Sequence, residues 1–276
     1  MTSSPSGNRA ERIVDSPPAP SGCVLEMRGV CKVFGEGPGA VSALESLSMK
    51  AFDGEFVTII GPSGCGKSTI FNVVSGLEMA NGGEVLLRGE RLAGQTGVVG
   101  YMPQRDLLLP WRTILNNVVL GVELRGGDKH AARAEALELF PQFGLEGFES
   151  RYPAELSGGM RQRAALLRTI LTGHDVMLLD EPFGALDALT RLEMQEWLLS
   201  IWGRFRKTIV FITHDVEEAV FLSDRVYVMT RRPGTVKLES KIDLPRPRTR
   251  EMIVEGEFVR AKHELLSALL EESASS

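Results

Sequence analysis

The chain has 276 residues, 43% of them hydrophobic and 24% charged, with a formal net charge of -5. That apolar fraction excludes disorder throughout and suffices for one large core or two modest ones. The acidic balance lacks the concentrated basic surface on which nucleic-acid binding rests, and the three cysteines, Cys23, Cys31 and Cys65, take neither pairing nor metal-ligand spacing, which suits a reducing compartment.

Residues 1–22 end in Ser16-Pro17-Pro18-Ala19-Pro20-Ser21-Gly22, hold no apolar stretch and carry Glu11 and Asp15. They are expected to form a disordered arm rather than a secretory signal. No run reaches the roughly 18 apolar residues that cross a bilayer, so service to a membrane would run through a partner. Residues 24–30 and 41–50 alternate as strands of a partly exposed antiparallel layer, joined by a loop at Gly35-Glu36-Gly37-Pro38-Gly39.

The apolar run Phe56-Val57-Thr58-Ile59-Ile60 is a buried strand, and Gly61-Pro62-Ser63-Gly64-Cys65-Gly66-Lys67-Ser68 follows it directly. This G-x-x-x-x-G-K-[ST] pattern places glycines where backbone must approach a polyphosphate, so that successive N–H groups and the opening helix dipole converge on the anion. Lys67 adds a mobile positive charge, Ser68 a hydroxyl for magnesium, and Thr69 completes the cradle. Cys65 lies close to Lys67 and the helix start, both of which favour its thiolate. Alkylation there is expected to block nucleotide, and nucleotide to protect; Cys65 also reads as a tolerated small residue.

Strands near 84–87 and 98–101 come next, and a mainly helical stretch fills 106–172 before apolar runs return at 176–179 and 208–213. Helical periodicity interrupting a sheet suggests a helical subdomain inserted into an α/β core. Within it Leu156-Ser157-Gly158-Gly159-Met160-Arg161-Gln162-Arg163 precedes apolar positions Met160, Ala164, Leu167 and Leu171 at helical spacing, with Ser157 as N-cap. Two glycines behind that cap leave N–H groups unobstructed for a second anion. The strand Val176-Met177-Leu178-Leu179 delivers Asp180 and Glu181 at the sheet edge where such folds bind ligands. Side chains alternate there, so the two acids are assigned separate work: Asp180 in the magnesium shell opposite Ser68, Glu181 polarising the attacking water.

The series of a Walker A loop, Gln104, LSGGMRQR, a Walker B strand with Asp180-Glu181, Phe183-Gly184-Ala185-Leu186-Asp187, and His214 after an apolar strand resembles the nucleotide-binding subunit of an ABC transporter over residues 24–240. The resemblance implies an α/β P-loop NTPase core of ABC type with an antiparallel β layer and an inserted helical subdomain. It implies a head-to-tail dimer in which Ser157, Gly158 and Gly159 of one copy cap the γ-phosphate of ATP held by the other. Gln104 would reach both magnesium and the attacking water, and His214 would hydrogen-bond the γ-phosphate. Phe34 stands where the family stacks a ring on adenine, and reads equally as a core phenylalanine. Asp187 resembles the aspartate that communicates across the dimer, and is also a plain N-cap.

By the same resemblance residues 106–118, with Pro110 and Trp111, line the groove that receives a membrane-spanning subunit. Trp111 is the candidate contact, while Ile114, Leu115 and Val118 are candidate core. Leu108-Leu109-Pro110-Trp111, Asn116-Asn117-Val118, the turn Arg231-Arg232-Pro233-Gly234 and Leu244-Pro245-Arg246-Pro247-Arg248-Thr249-Arg250-Glu251 resemble importer ATPases for nitrate, sulfonate, taurine or bicarbonate, a group that also includes carriers of thiamine precursors. The arginines of the last motif read either as a solvated basic face or as a contact for anionic lipid. The expected division is an ATPase domain over 23–245 and a basic segment with one helix over 246–276, too short for the extra β domain of sugar importers. The implied setting is the cytoplasmic face of a membrane, with a permease and, indirectly, a solute-binding protein as partners. The alternatives, an ABC ATPase acting on nucleic acid or the ATPase of an exporter, would show a coiled-coil or zinc insertion between loop and signature, or a fused membrane domain.

Overall fold

Four strands of five residues each, β3, β7, β8 and β9 in chain order, are buried along their whole length at Phe56–Ile60, Val176–Asp180, Thr208–Ile212 and Arg225–Met229. Strands covered on both faces read as continuous apolar runs and lie parallel, because the connecting helices pack on both sides. The computed structural model describes residues 21–274. The expected N-terminal arm falls outside them except for Ser21 and Gly22, which open the first strand instead.

The remaining elements are β1 (Ser21–Phe34), β2 (Val41–Asp53), α1 (Lys67–Val74), β4 (Gly82–Leu87), β5 (Glu90–Arg91), β6 (Gly100–Met102), α2 (Ile114–Val118), α3 (Leu120–Leu124), α4 (Lys129–Leu139), α5 (Gly158–Ile170), α6 (Ala188–Phe205), α7 (Val216–Leu222), β10 (Val236–Lys241) and α8 (Gly256–Ala274). Six strands form one sheet in the order β10-β9-β3-β8-β7-β6, parallel except at β10, and β2-β1-β4-β5 form a separate antiparallel layer. This is the α/β core with an antiparallel layer that the sequence pattern implies.

Alternation along the parallel strands sorts side chains into two cores. Phe56, Ile60, Met177, Leu179, Ile209 and Phe211 face one that also takes in the helical stretch. Val57, Ile59, Val176, Leu178, Val210 and Ile212 face another shared with α1 and the antiparallel layer. Ile114, Leu115 and Val118 are buried as expected, whereas Trp111 is 72% exposed. Asn117 holds the intervening loop: its amide nitrogen donates to the carbonyls of Leu109, Arg112 and Thr113 at 3.0–3.1 Å, and its oxygen accepts from Leu109 N at 2.6 Å.

The arginines near the C-terminus form neither a solvated face nor a lipid contact. Arg248 is buried and donates to the carbonyls of Val220, Phe221 and Ile242 at 2.7, 3.0 and 3.3 Å. Arg246 donates to Leu222 O at 2.8 Å, pairs with Asp224 at 2.7 Å and lies 4.2 Å over the Trp202 ring. Arg250 pairs with Glu196 and donates to the carbonyl of Leu192. For Arg246 and Arg248 the physical reason is the end of α7, whose last carbonyls lack partners within the helix and carry the negative end of its dipole. A guanidinium supplies several donors in one rigid fork. Burial, with Arg246 beside it, pushes the Arg248 guanidinium down to about 9. Arg248→Met should therefore destabilise the fold by about 2–4 kcal/mol, as three carbonyls lose their donor, read as a lower urea midpoint at unchanged slope.

Candidate functional site

All four parallel junctions that carry the sequence motifs open at one edge of the sheet. β3 runs into the 61–69 loop, β6 leads toward Gln104, β7 delivers Asp180 and Glu181, and β8 leads through Thr213 to His214. Carboxyl ends of parallel strands are where open α/β sheets bind ligands.

Gly66 caps α1 with φ of 107°, and a Cβ there would lie 2.9 Å from Ala43 O and 2.8 Å from Leu44 Cδ2, so both conformation and space demand glycine. Gly64, at φ of 76°, opens outward with Ser63. Lys67 is buried and curls back over the loop, its Nζ donating to Gly61 O at 2.8 Å and Pro62 O at 3.1 Å. Ser68 lies exposed with its hydroxyl on the Asp180 carboxyl, and Thr69 follows half-buried. Burial raises the Asp180 carboxyl above its ordinary value, against the opposing pull of the Ser68 hydrogen bond.

Glu181 is the centre of a polar cluster. Its Oε2 accepts from Gln104 Nε2 at 3.2 Å and lies 3.4 Å from His214 Nδ1. Its backbone is left-handed, at φ of 43°, and its N–H donates to Ile212 O at 3.0 Å. A non-glycine residue in that region is uncommon and concentrates at functional sites. Ser157 caps α5, accepting from Met160 N at 3.3 Å. Gly158 and Gly159 pack toward Leu186 and Thr190: a Cβ on either would meet those side chains at 3.4 and 3.2 Å. Among the described residues none of these three hydrogen-bonds the Gln104–Glu181–His214 cluster.

Phe34 is 37% exposed, with Lys32 Nζ 4.8 Å from its ring centroid, so it is not a core residue. Asp187 caps α6, accepting from Thr190 N at 3.0 Å. The thiolate expected at Cys65 is overturned. Its sulfur is turned into the protein beside Met229, only 1% of the residue is exposed, and burial pushes the thiol up despite the nearby Lys67.

Glu218 belongs to the same region although no motif marks it. Buried on α7 behind His214, it accepts from Gln195 Nε2 at 2.9 Å and hydrogen-bonds the Thr213 side chain, with Asp215 and Arg191 as the nearby charges. The signal was its position: it follows the N-cap Asp215 by three residues and so turns to the same inward side as the apolar run after it.

The donor set fits magnesium with a triphosphate. Magnesium binds through one or two protein oxygens and keeps its remaining positions for phosphate and water. Ser68 and Asp180 would supply that pair, and among the described residues no group of three or more His, Cys, Asp or Glu forms an all-protein metal cage. Lys67, hydrogen-bonded here to neutral carbonyls, would supply positive charge to a polyphosphate.

Loop, paired acids and strand-end histidine together define a phosphate-loop nucleoside triphosphatase. Residues 44–184 match the family model described as ABC transporter, and the chain belongs to that family; it is an ABC-type ATPase that binds ATP with Mg2+. It is 44% identical over 232 residues to the formylaminopyrimidine import ATP-binding protein ThiZ of Halalkalibacterium halodurans, covering 83% of this chain and 91% of that one. It is 41% identical over 233 residues to the aliphatic sulfonates import ATP-binding protein SsuB of Bacillus cereus, covering 84% and 92%. A dimeric post-hydrolysis structure of the ATP-binding cassette MJ0796 bound to ADP and Pi superposes with a TM-score of 0.67 at 29% identity, over 79% of this chain and 98% of that one.

Because Glu218 is an acid whose value is raised on folding, its neutral form favours the native state. That contribution is complete below the ordinary carboxylate range and is lost as pH rises through the folded value. Glu218→Gln should match the parent in urea midpoint at pH 4 and exceed it at pH 8.

Proposed function

We propose that this chain is the ATP-hydrolysing subunit of an importer for a small solute, an oxyanion such as a sulfonate, nitrate, taurine or bicarbonate. It would work as a head-to-tail pair of copies on the cytoplasmic face of a membrane, beneath a permease served by a solute-binding protein. The observation that carries the hydrolytic part is the convergence of Gln104 and His214 on Glu181. The importer names of two relatives support the transport part.

In this reading Gly61, Pro62, Ser63, Gly64, Cys65, Gly66, Lys67, Ser68 and Thr69 wrap the phosphates, chiefly through backbone N–H groups, and Phe34 offers its exposed ring to adenine. Magnesium, when bound, would supply charge neutralisation to the phosphates. Ser68 and Asp180 would hold its shell, and Gln104 would reach both that shell and the water. Glu181 accepts a hydrogen bond from the attacking water and so polarises it, and His214 holds the γ-phosphate oxygen and keeps the carboxylate aimed. Ser157, Gly158 and Gly159 present an N-capped helix start to the γ-phosphate in the opposite copy. Closure of the pair completes each site and exposes the consequence to the permease through the loop at Trp111.

The named cargoes of the two relatives, a formylaminopyrimidine and aliphatic sulfonates, are chemically unlike although the identities are close. An ATPase subunit of this design never touches cargo, so the oxyanion assignment rests on the motif resemblance at residues 108–118, 231–234 and 244–251.

Glu181→Gln should retain ATP affinity and lose turnover by about a hundredfold or more, in a single-turnover assay beside equilibrium binding. Trp111→Asp should leave the thermal midpoint and basal hydrolysis near the parent and release the permease in copurification; a collapsed midpoint would make Trp111 a packing residue. For the cargo, uptake by the reconstituted complex over a panel of sulfonate, nitrate, taurine, bicarbonate and a formylaminopyrimidine decides: the oxyanion reading requires that an oxyanion, through its binding protein, stimulates both uptake and hydrolysis.

A further inference from the structure

The turn between β9 and β10, residues 230–235, is pressed against the underside of the phosphate loop. At Gly234 a Cβ would lie 2.0 Å from the carbonyl oxygen of Cys65 and 2.8 Å from the Met229 methyl. No real side chain tolerates such a distance to backbone, so this glycine is required by space alone. Its N–H donates to Ala43 O at 2.9 Å and its carbonyl accepts from Glu45 N at 3.1 Å, which joins the turn to β2. That part of β2 presses on the loop from another side, against Gly66, while Gly61 leaves room for Met229. Gly66 and Gly234 thus bring the loop, β2 and the turn into close backbone contact, and Gly61 does the same for the end of β9.

The turn is itself braced. Thr230 N donates to Thr235 O at 3.0 Å, and the Thr230 hydroxyl accepts from Thr235 N at 3.0 Å. On its outer side the last turns of α8 hold it: Glu272 accepts from Arg231 N at 3.1 Å and pairs with Lys237 at 3.1 Å, and Lys237 also donates to Ala268 O at 3.0 Å. A continuous set of contacts therefore runs from α8 through the turn to Cys65, in the middle of the loop.

We propose that the 230–235 turn is a positioning element for ATP binding. Gly234 sets the height of the Cys65 carbonyl, and hence the aim of the loop's N–H groups, while Glu272 holds the turn in place from α8. Neither residue touches nucleotide. The inference rests on the reading of residues 61–69 as the phosphate site. Backbone N–H groups cannot re-aim one by one as side chains do, so the affinity of a loop that binds chiefly through them depends on what supports it. Cys65 serves as a built-in reporter, because its thiol is buried at the seam between loop and turn.

The test uses the full chain carrying Cys23→Ser and Cys31→Ser, so that Cys65 is the sole thiol. Three quantities are read: Mg-ATP affinity in a Glu181→Gln background, the rate of Cys65 alkylation by N-ethylmaleimide without nucleotide, and the thermal midpoint without nucleotide. Gly234→Ala should weaken Mg-ATP about tenfold or more, as expected for a methyl forced into a close-packed contact, and should speed alkylation. Glu272→Gln should move affinity and alkylation in the same direction by about threefold, with little change in midpoint. A folded Gly234→Ala that binds and reacts like the parent overturns the proposal. So does a Glu272→Gln that leaves both affinity and alkylation unchanged, whatever its midpoint, and this second variant decides if Gly234→Ala does not fold. Lys67→Ala separates the underlying reading: undiminished Mg-ATP affinity there would remove the loop's assignment, whereas weakened binding in Lys67→Ala with parent-like Gly234→Ala would remove only the role of the turn.

Discussion

Everything at the candidate site depends on three strands delivering their ends in register. Glu181 meets Gln104 from beyond β6 and His214 from beyond β8 only because Leu179 pairs with Met102 and Asp180 with Ile212. A slip of one residue would turn every side chain on the strand to the other face. The buried, two-sided apolar character of β7 and β8 forbids such a slip, since each face packs a different core. The left-handed backbone of Glu181 then separates its direction from that of Asp180, letting two adjacent acids serve different neighbours.

Much of this was legible from residue order. The buried strands, the glycine-bearing loop, the capped start of α5 and the helical stretch between β6 and β7 all follow from local periodicity and from residue types whose backbone demands are narrow. Those signals are short-range, and the elements they predict are the ones observed. The individual roles of Phe34, Gln104, Asp187 and His214 came from position within a series. Geometry adds to that series that Phe34 is open to solvent, that Asp187 is an N-cap, and that Gln104 and His214 address one carboxylate.

The misreadings share a physical cause, which is burial contributed by elements remote in sequence. Cys65 was judged by its neighbours along the chain, Lys67 and the helix start, but Met229 and the 230–235 turn cover it from outside that window. Arg246 and Arg248 looked like surface charge because an arginine run is ordinarily solvated. Their partners are carbonyls of α7 and of Ile242, just past β10, and no local pattern announces a helix end that needs outside donors. Glu218 was hidden by its twin Glu217, which stays out to pair with Lys262 while Glu218 turns in toward Gln195.

The loop bearing Trp111 is fastened by one amide, Asn117, whose oxygen and nitrogen are both engaged by the loop's own backbone. An indole mounted on so saturated a bracket has little backbone freedom left to forfeit when another molecule closes over it. The entropy of ordering that loop was spent when the chain folded. A displacement imposed at the ring would therefore meet a firm mount at residues 109–113 rather than slack backbone.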